Sequence, residues 1–266
     1  MLNGAYDLVL RLPRFKGKSR IASFLRRQLA PKPSTTVHGL RMELDPAEWP
    51  QVDLRAFGRL EPETTALFER LLKQGDIYVD VGAHVGYHAL VARHCVGASG
   101  RVLAIDPQPY NCDKLLTNAG LNGFTNITVV VAAAGRADGS ISLRNQSRSD
   151  RSRLTLNGAG VNDEPTAFVV PMLRLDSLFA AQRLERVDLM KVDVEGCELD
   201  VLLGAGDSLD RVKNIVVEIL PEATAEKANE TARLLRASGY LLSDVEGADW
   251  QPGRTCVENN VWARRP

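Results

Sequence analysis

Hydrophobic residues fall in short solid runs separated by stretches of helical spacing, and this alternation predicts most of the fold. Ile77–Val81, Val102–Ile105, Ile127–Val131, Val187–Val192 and Asn214–Ile219 are apolar over most of their length, as strands covered on both faces are. Residues near 84–96, 109–122, 197–206 and 224–238 lie between them with helical character. Ahead of the first strand, Pro62 opens a helix to Leu72 with Ala66, Leu67, Leu71 and Leu72 on one face, stopping near Gly75. Strands interleaved with helices predict an α/β domain with a parallel sheet. Tyr240–Val245 and Cys256–Ala263 have no helix between them, only a loop from Gly247 to Gly253, and predict an antiparallel hairpin at one edge.

Two stretches break the alternation. Residues 135–172 are rich in Gly, Ser, Arg and Asn, with strand-like pieces at Ile141–Leu143 and Ala167–Val170. They read as an insertion near the acceptor site, in which Ser147–Arg153 either reads a polar acceptor or is a solvated loop. Residues 1–60 read as a basic arm followed, after the break at Pro31-Lys32-Pro33-Ser34, by a lead-in of short strand-like pieces without a long period. The domain proper is expected over 61–266.

Charge refines this picture. The 266 residues carry 33 basic and 33 acidic side chains, so the whole molecule has no general attraction to nucleic acid. Residues 1–30 nevertheless hold seven basic residues against Asp7 alone, a net +6. Leu8, Val9, Leu10, Leu12 and Phe15 among them could lay the arm on an anionic membrane surface, or could pack on the domain. Cys95, Cys112, Cys197 and Cys256 are far apart, which indicates neither a zinc site nor a disulfide framework. No run approaches a spanning helix or a signal peptide. These features place the chain in the cytoplasm, with contact at the inner face of a membrane as an open alternative, and they leave the oligomeric state undetermined.

The most informative chemistry is Asp80-Val81-Gly82-Ala83-His84-Val85-Gly86 at the end of the first strand, with Asp106 ending the second. Glycines allow a sharp strand-to-helix turn whose N–H groups can hold an anion, and Asp106 stands where a ribose diol would sit. A dinucleotide fingerprint needs G-x-G-x-x-G, and here His84 blocks the second glycine position. That favours S-adenosylmethionine over NAD, with Asp80 as a partner for its ammonium.

A second constellation, Lys191-Val192-Asp193-Val194-Glu195-Gly196, closes the fourth strand, and Glu218 closes the next. Strand period two puts Lys191, Asp193 and Glu195 on one side if the extended geometry persists. Methyl transfer to an alcohol needs the hydroxyl proton drawn off, and Asp193 is the candidate base; Lys191 could polarise the hydroxyl, and Glu195 or Glu218 could bind neighbouring hydroxyls. Two alternatives stay open. In one, Lys191 and Glu195 are a surface ion pair and Asp193 caps the following helix. In the other, Asp193, Glu195 and Glu218 ligate Mg²⁺ or Ca²⁺. The reading adopted has no metal. His84 and His88 resemble half a zinc helix, but Val85 stands where a metalloprotease has its general base.

The ordered motifs resemble the FkbM-type family of S-adenosylmethionine-dependent methyltransferases over about residues 60–263. They are Asp80–Tyr87, Ile105-Asp106-Pro107-Gln108-Pro109, Leu121-Asn122-Gly123, Gly139-Ser140, Val170–Asp176 and Val187–Glu198. Asp106 stands where the family often has Glu, His84 where Asn is common, and Cys197 where Ala is usual. The resemblance implies a Rossmann-like class I methyltransferase fold: a seven-stranded, mostly parallel sheet with an antiparallel edge hairpin and helices on both faces. It implies cofactor contacts from Glu61, Asp80, Gly82, Ala83, His84, Gly86, Asp106 and Pro107. It also implies O-methylation of a hydroxyl-bearing acceptor, a saccharide, glycan or glycosylated metabolite. A nucleic-acid methyltransferase is the first rival, although Asp193-Val194-Glu195-Gly196 stands where amino-methylating enzymes have an Asn/Asp-Pro-Pro-aromatic turn. A cofactor-binding module without catalysis is the second.

Overall fold

A computed structural model describes residues 32–36, 38–45, 51–144, 167–219 and 225–266, with Leu8, Val9, Ile21 and Phe24 as isolated positions before them. Its centre is a seven-stranded sheet. β3 (Ile77–Val81), β4 (Arg101–Asp106), β5 (Ile127–Val131), β9 (Leu189–Val192) and β10 (Asn214–Glu218) run parallel, and β11 (Leu241–Asp244) and β12 (Asn260–Arg264) form the antiparallel hairpin. The order is β11-β12-β10-β9-β3-β4-β5, so β12 inserts between β10 and β11. This is the predicted class I arrangement.

Strand alternation sorts side chains onto two faces. Val79, Val81, Leu103, Ile105, Met190, Val192, Ile215 and Val217 meet α5 (Leu175–Ala181), α6 (Glu198–Ala205) and α7 (Ala225–Ala237) in the larger core. Tyr78, Val102, Ala104, Leu189 and Val216 face α2 (Pro62–Leu71) and α3 (Tyr87–Val96). The second face matters for the site, because Asp80, Lys191 and Glu218 continue its period at the carboxyl ends of the strands, with Asp80 opposite Lys191 in register.

Two expectations gain detail and one needs correction. The lead-in is part of the core: β1 (Lys32–Thr35) and β2 (Arg41–Leu44) pair antiparallel, and α1 (Gln51–Phe57) follows. Leu40, Met42, Leu44 and Leu54 are buried against Val85, Leu90 and Ala119, and Asn118 of α4 (Pro109–Leu121) accepts the Glu43 N–H at 2.7 Å. Packing therefore begins before residue 61. The insertion ends pair with each other: β6 (Ala133–Ala134), β7 (Gly139–Arg144) and β8 (Ala167–Leu173) make a second sheet of order β6-β8-β7. Residues 145–166, with the Ser147–Arg153 segment, lie outside the described residues, as does most of the arm. The expected strand at Cys256 starts only at Asn260, after two left-handed residues, Glu258 and Asn259. Among the described residues no helix is long and apolar enough to cross a membrane.

Candidate active site

The glycine turn is built for close approach. Gly82 has φ 89°, and a Cβ there would lie 1.8 Å from the Asp193 carbonyl oxygen, so the loop after β3 rests directly on the end of β9. Gly86 has φ 92°, and its Cβ would meet Leu115 of α4 at 2.6 Å. The sequence reading left the loop N–H groups open for an anion. They are largely taken: Gly82 and Ala83 donate to the Ile105 carbonyl at 2.9 and 3.1 Å, His84 donates to Asp106 Oδ2 at 2.8 Å, and Gly86 donates to Ala83. The loop sits so close to β4 that its own neighbours satisfy it.

Asp106 is correspondingly busy. Besides the His84 N–H it accepts the Gln108 N–H at 2.8 Å and the Asn111 Nδ2 at 3.0 Å, both on Oδ1. Burial raises its pKa, opposed by His84 and these donors. A carboxylate offers about four lone-pair directions, so one remains for a ribose hydroxyl. Pro107 follows Asp106 and leads into the turn that starts α4. Burial lowers the His84 imidazole, with Asp106 opposing.

Asp80 differs. It is 2% exposed, the Tyr78 hydroxyl lies beside its carboxyl, and among the described residues its Oδ2 has no well-formed hydrogen bond. Burial pushes it up to about 7, with Lys191 pulling the other way. A buried carboxylate oxygen without a donor is what an incoming ammonium would satisfy, so this end of the site fits the amino-acid end of S-adenosylmethionine.

Lys191 is the hub of the other half. It is buried, with Nζ 2.6 Å from Asp193 Oδ2 and 3.7 Å from Glu61 Oε2. Burial alone would lower its pKa, but Asp193, Glu61 and Asp80 hold it above the usual lysine value. Burial would raise Asp193, and Lys191 with a hydrogen bond from Glu218 brings it below the ordinary range. Glu218 goes the opposite way, to about 9, through burial and the adjacent Asp193 charge. At neutral pH the two carboxyls therefore share one proton, carried on Glu218, and Asp193 is the ionised member.

This geometry removes the alternative in which Lys191 and Glu195 pair at the surface while Asp193 caps a helix. Asp193 does not cap α6, whose preceding N–H groups at Val194 and Gly196 are taken by Glu198 Oε1 at 3.2 and 2.9 Å. Lys191 pairs with Asp193 in the interior rather than with Glu195 on the surface. The charge that balances these carboxylates in the structure is an ammonium. Glu195 leaves the strand period: β9 ends at Val192, and Glu195 turns back with φ 55°. It remains near enough to raise the Glu218 pKa.

Glu61, assigned to the cofactor by resemblance, belongs to the Lys191 cluster. Its Oε2 also accepts Asn260 Nδ2 at 2.9 Å and lies 3.7 Å from His88 Nε2. His88 and Asn260 were missed. His88 had been weighed only as half of a zinc pair, and burial with Lys191 nearby keeps it neutral. Asn260 has no local motif to reveal it.

Sequence comparison completes the description. The pattern of the Methyltransferase FkbM domain matches residues 80–242, which holds both strand-end constellations. The chain belongs to the FkbM methyltransferase family. It is an S-adenosylmethionine-dependent enzyme. This FkbM methyltransferase is 30% identical over 193 residues to Methyltransferase 1 of Beauveria bassiana, covering 65% of this chain and 75% of that one. It is 27% identical over 171 residues to Hexuronic acid methyltransferase AglP of Haloferax volcanii, covering 64% of this chain and 65% of that one. Among solved structures it resembles an O-methyltransferase of Thermotoga maritima with a TM-score of 0.46 at 15% identity, over 93% of this chain and 81% of the other.

Proposed function

We propose that this methyltransferase moves a methyl group to a hydroxyl of a saccharide, glycan or glycosylated metabolite. The observation that carries the reading is the Lys191–Asp193–Glu218 array. It presents an ionised carboxylate, about one quarter exposed, at the carboxyl ends of parallel strands where open α/β sheets bind ligands. The name of the Haloferax relative, a hexuronic acid methyltransferase, supports a sugar acceptor.

S-adenosylmethionine supplies a methyl on a sulfonium. Asp80, with Gly82, Ala83, His84 and Gly86 shaping the loop and Asp106 and Pro107 at the β4 end, would hold it. Asp193 receives the acceptor proton as the hydroxyl oxygen attacks, and Lys191 keeps Asp193 ionised until then. Glu218 keeps its proton directed at Asp193 and, with Glu195 at the rim, receives neighbouring hydroxyls. The exposed Leu8 and Phe24, in a segment of net +6, support contact with an anionic membrane at its cytoplasmic face.

The test is transfer of isotopically labelled methyl to a pool of saccharides, with RNA as comparator. Labelled saccharide from wild type, and a strong loss in Asp193→Asn, is the expected outcome. Labelled RNA alone would favour the nucleic-acid rival, and cofactor binding without transfer to either would overturn the reading.

A further inference from the structure

The array described above does not hold its own shape. Its support comes from a short segment far away in the chain. Glu258 and Asn259 both have left-handed backbone, φ 56° and 57°, a conformation that asparagine tolerates and glutamate does not favour. Such paired strain persists only where the surroundings over-determine it. Here three consecutive residues are each tied to a different part of the site. Glu258 Oε2 accepts the Thr64 N–H at 2.9 Å and the Thr64 hydroxyl at 2.7 Å, and Oε1 accepts the Glu63 N–H at 3.2 Å. The first turn of α2, whose own N-cap Glu61 makes no side-chain cap, is therefore capped from the other end of the chain. The Asn259 carbonyl accepts the Ile219 N–H at 2.7 Å, directly behind Glu218. Asn260 is 1% exposed, stands opposite Glu218 in the ladder, and donates to Glu61 Oε2 and Thr64 Oγ1, each at 2.9 Å.

We propose that Glu258, Asn259 and Asn260 form a positioning element for methyl transfer. Asn260 aims Glu61 at Lys191, Asn259 fixes the strand end that carries Glu218, and Glu258 locks both to α2. The two carboxyls that flank the Lys191–Asp193 pair are thereby set by one strained triplet. None of the three touches the reacting atoms; each acts through Glu61 or Glu218. The element rests on the reading of Lys191 and Asp193 as the reactive pair. It goes beyond that reading in naming what holds the pair's charge in place.

The group that reports on the element is the Glu61 carboxyl. It is faced by Lys191 on β9 and Asp193 just after it, His88 on α3, Tyr78 on β3, and Glu258 and Asn260 at the hairpin. Removing the Asn260 donor leaves burial and the neighbouring carboxylates to push Glu61 further up.

The experiment is a carboxyl ¹³C titration of the full chain labelled at glutamate, with the Glu61 signal identified by its loss in Glu61→Gln. It needs no acceptor. The Glu61 midpoint is expected to rise by about one pH unit in Asn260→Ala, the equivalent of one charge-assisted hydrogen bond, and to return at least halfway in Asn260→Ser, which keeps a donor. Affinity for S-adenosylhomocysteine at pH 7 is expected to fall about 5-fold in Asn260→Ala, since Glu61 and Asp80 share Lys191. Glu258→Gln, which still accepts from Thr64, should move the midpoint by less than half as much. An unmoved Glu61 midpoint in Asn260→Ala, even with a lowered melting temperature, overturns the proposal and leaves the triplet a structural tie. If Asn260→Ala does not fold, Asn260→Leu, which keeps the side-chain volume and removes the donor, decides alone: a raised midpoint supports the element, and an unchanged midpoint refutes it. Failure to bind S-adenosylhomocysteine in wild type would strike at the cofactor reading instead, with the titration result unaffected.

Discussion

Two carboxylates, Asp106 buried and Asp193 about one quarter exposed, stand at the ends of strands on either side of β3, and opposite means hold them. Asp106 is surrounded by donors from its own neighbourhood, two backbone N–H groups and an amide. Asp193 is held by a buried ammonium and a neutral carboxyl, and the polar atoms around it are incompletely satisfied: among the described residues Asp80 Oδ2, His88 Nε2, Glu218 Oε2 and Asn260 Oδ1 have no hydrogen-bond partner. Local dipoles saturate the first site and make it rigid. Charges from distant strands balance the second, which keeps protons that can move. A cofactor cradle needs the first kind of site, and a centre that must accept a proton needs the second.

The contrast makes graded predictions. Asp193→Asn should lower methyl transfer by roughly 10²–10⁴-fold, the usual contribution of general-base catalysis, while S-adenosylhomocysteine affinity measured by calorimetry stays within about 3-fold. Comparable losses in both would mean that the two sites are not separate in function. Lys191→Met should cost about 3–5 kcal/mol in urea unfolding, because it strands buried carboxylates without their ammonium. Asp106→Asn should show the reverse profile to Asp193→Asn. Turning one acceptor into a donor against three donors should weaken S-adenosylhomocysteine by about 1–3 kcal/mol, with the transfer rate at saturating cofactor nearly intact.

Glu218→Gln should give the most diagnostic change, read only as a dependence on pH. The native chain holds the Glu218 proton up to about pH 9, whereas an unfolded chain releases it near 4.5, so this group takes stability away as pH rises through that window. The variant has no such proton. Its melting temperature relative to wild type should therefore increase from pH 5 to pH 9, and a flat difference would place Glu218 in an ordinary solvated state.

The sheet was legible because its strands are solid apolar runs bounded by turn residues, and Asp80, Asp106, Asp193 and Glu218 were legible because strand ends mark the ligand side of such sheets. What escaped depends on contacts without local pattern. The β1–β2 hairpin is held by Asn118 and Asn122 of α4, some 80 residues on, and the Glu61–Asn260 bond spans 199. Glu195 was misplaced because strand periodicity stops three residues before it. The occupation of the Gly82–Gly86 N–H groups follows from loop curvature, which residue types alone do not show. The short α5, with Leu175, Leu178 and Phe179 buried, follows the insertion so closely that its period was lost.

The path of the chain through the sheet sets an order of assembly. β3, β4 and β5 are consecutive in sequence and adjacent in space, so the cofactor cradle can close from residues translated together. β12, the last strand, enters the interior between β10 and β11, and Glu258 must reach Thr64 across 194 residues. Such long-range pairing forms late. During synthesis the β3–β4–β5 part of the cofactor region is therefore made well before the surroundings of the base, and reactivity is withheld until β12 has entered the sheet.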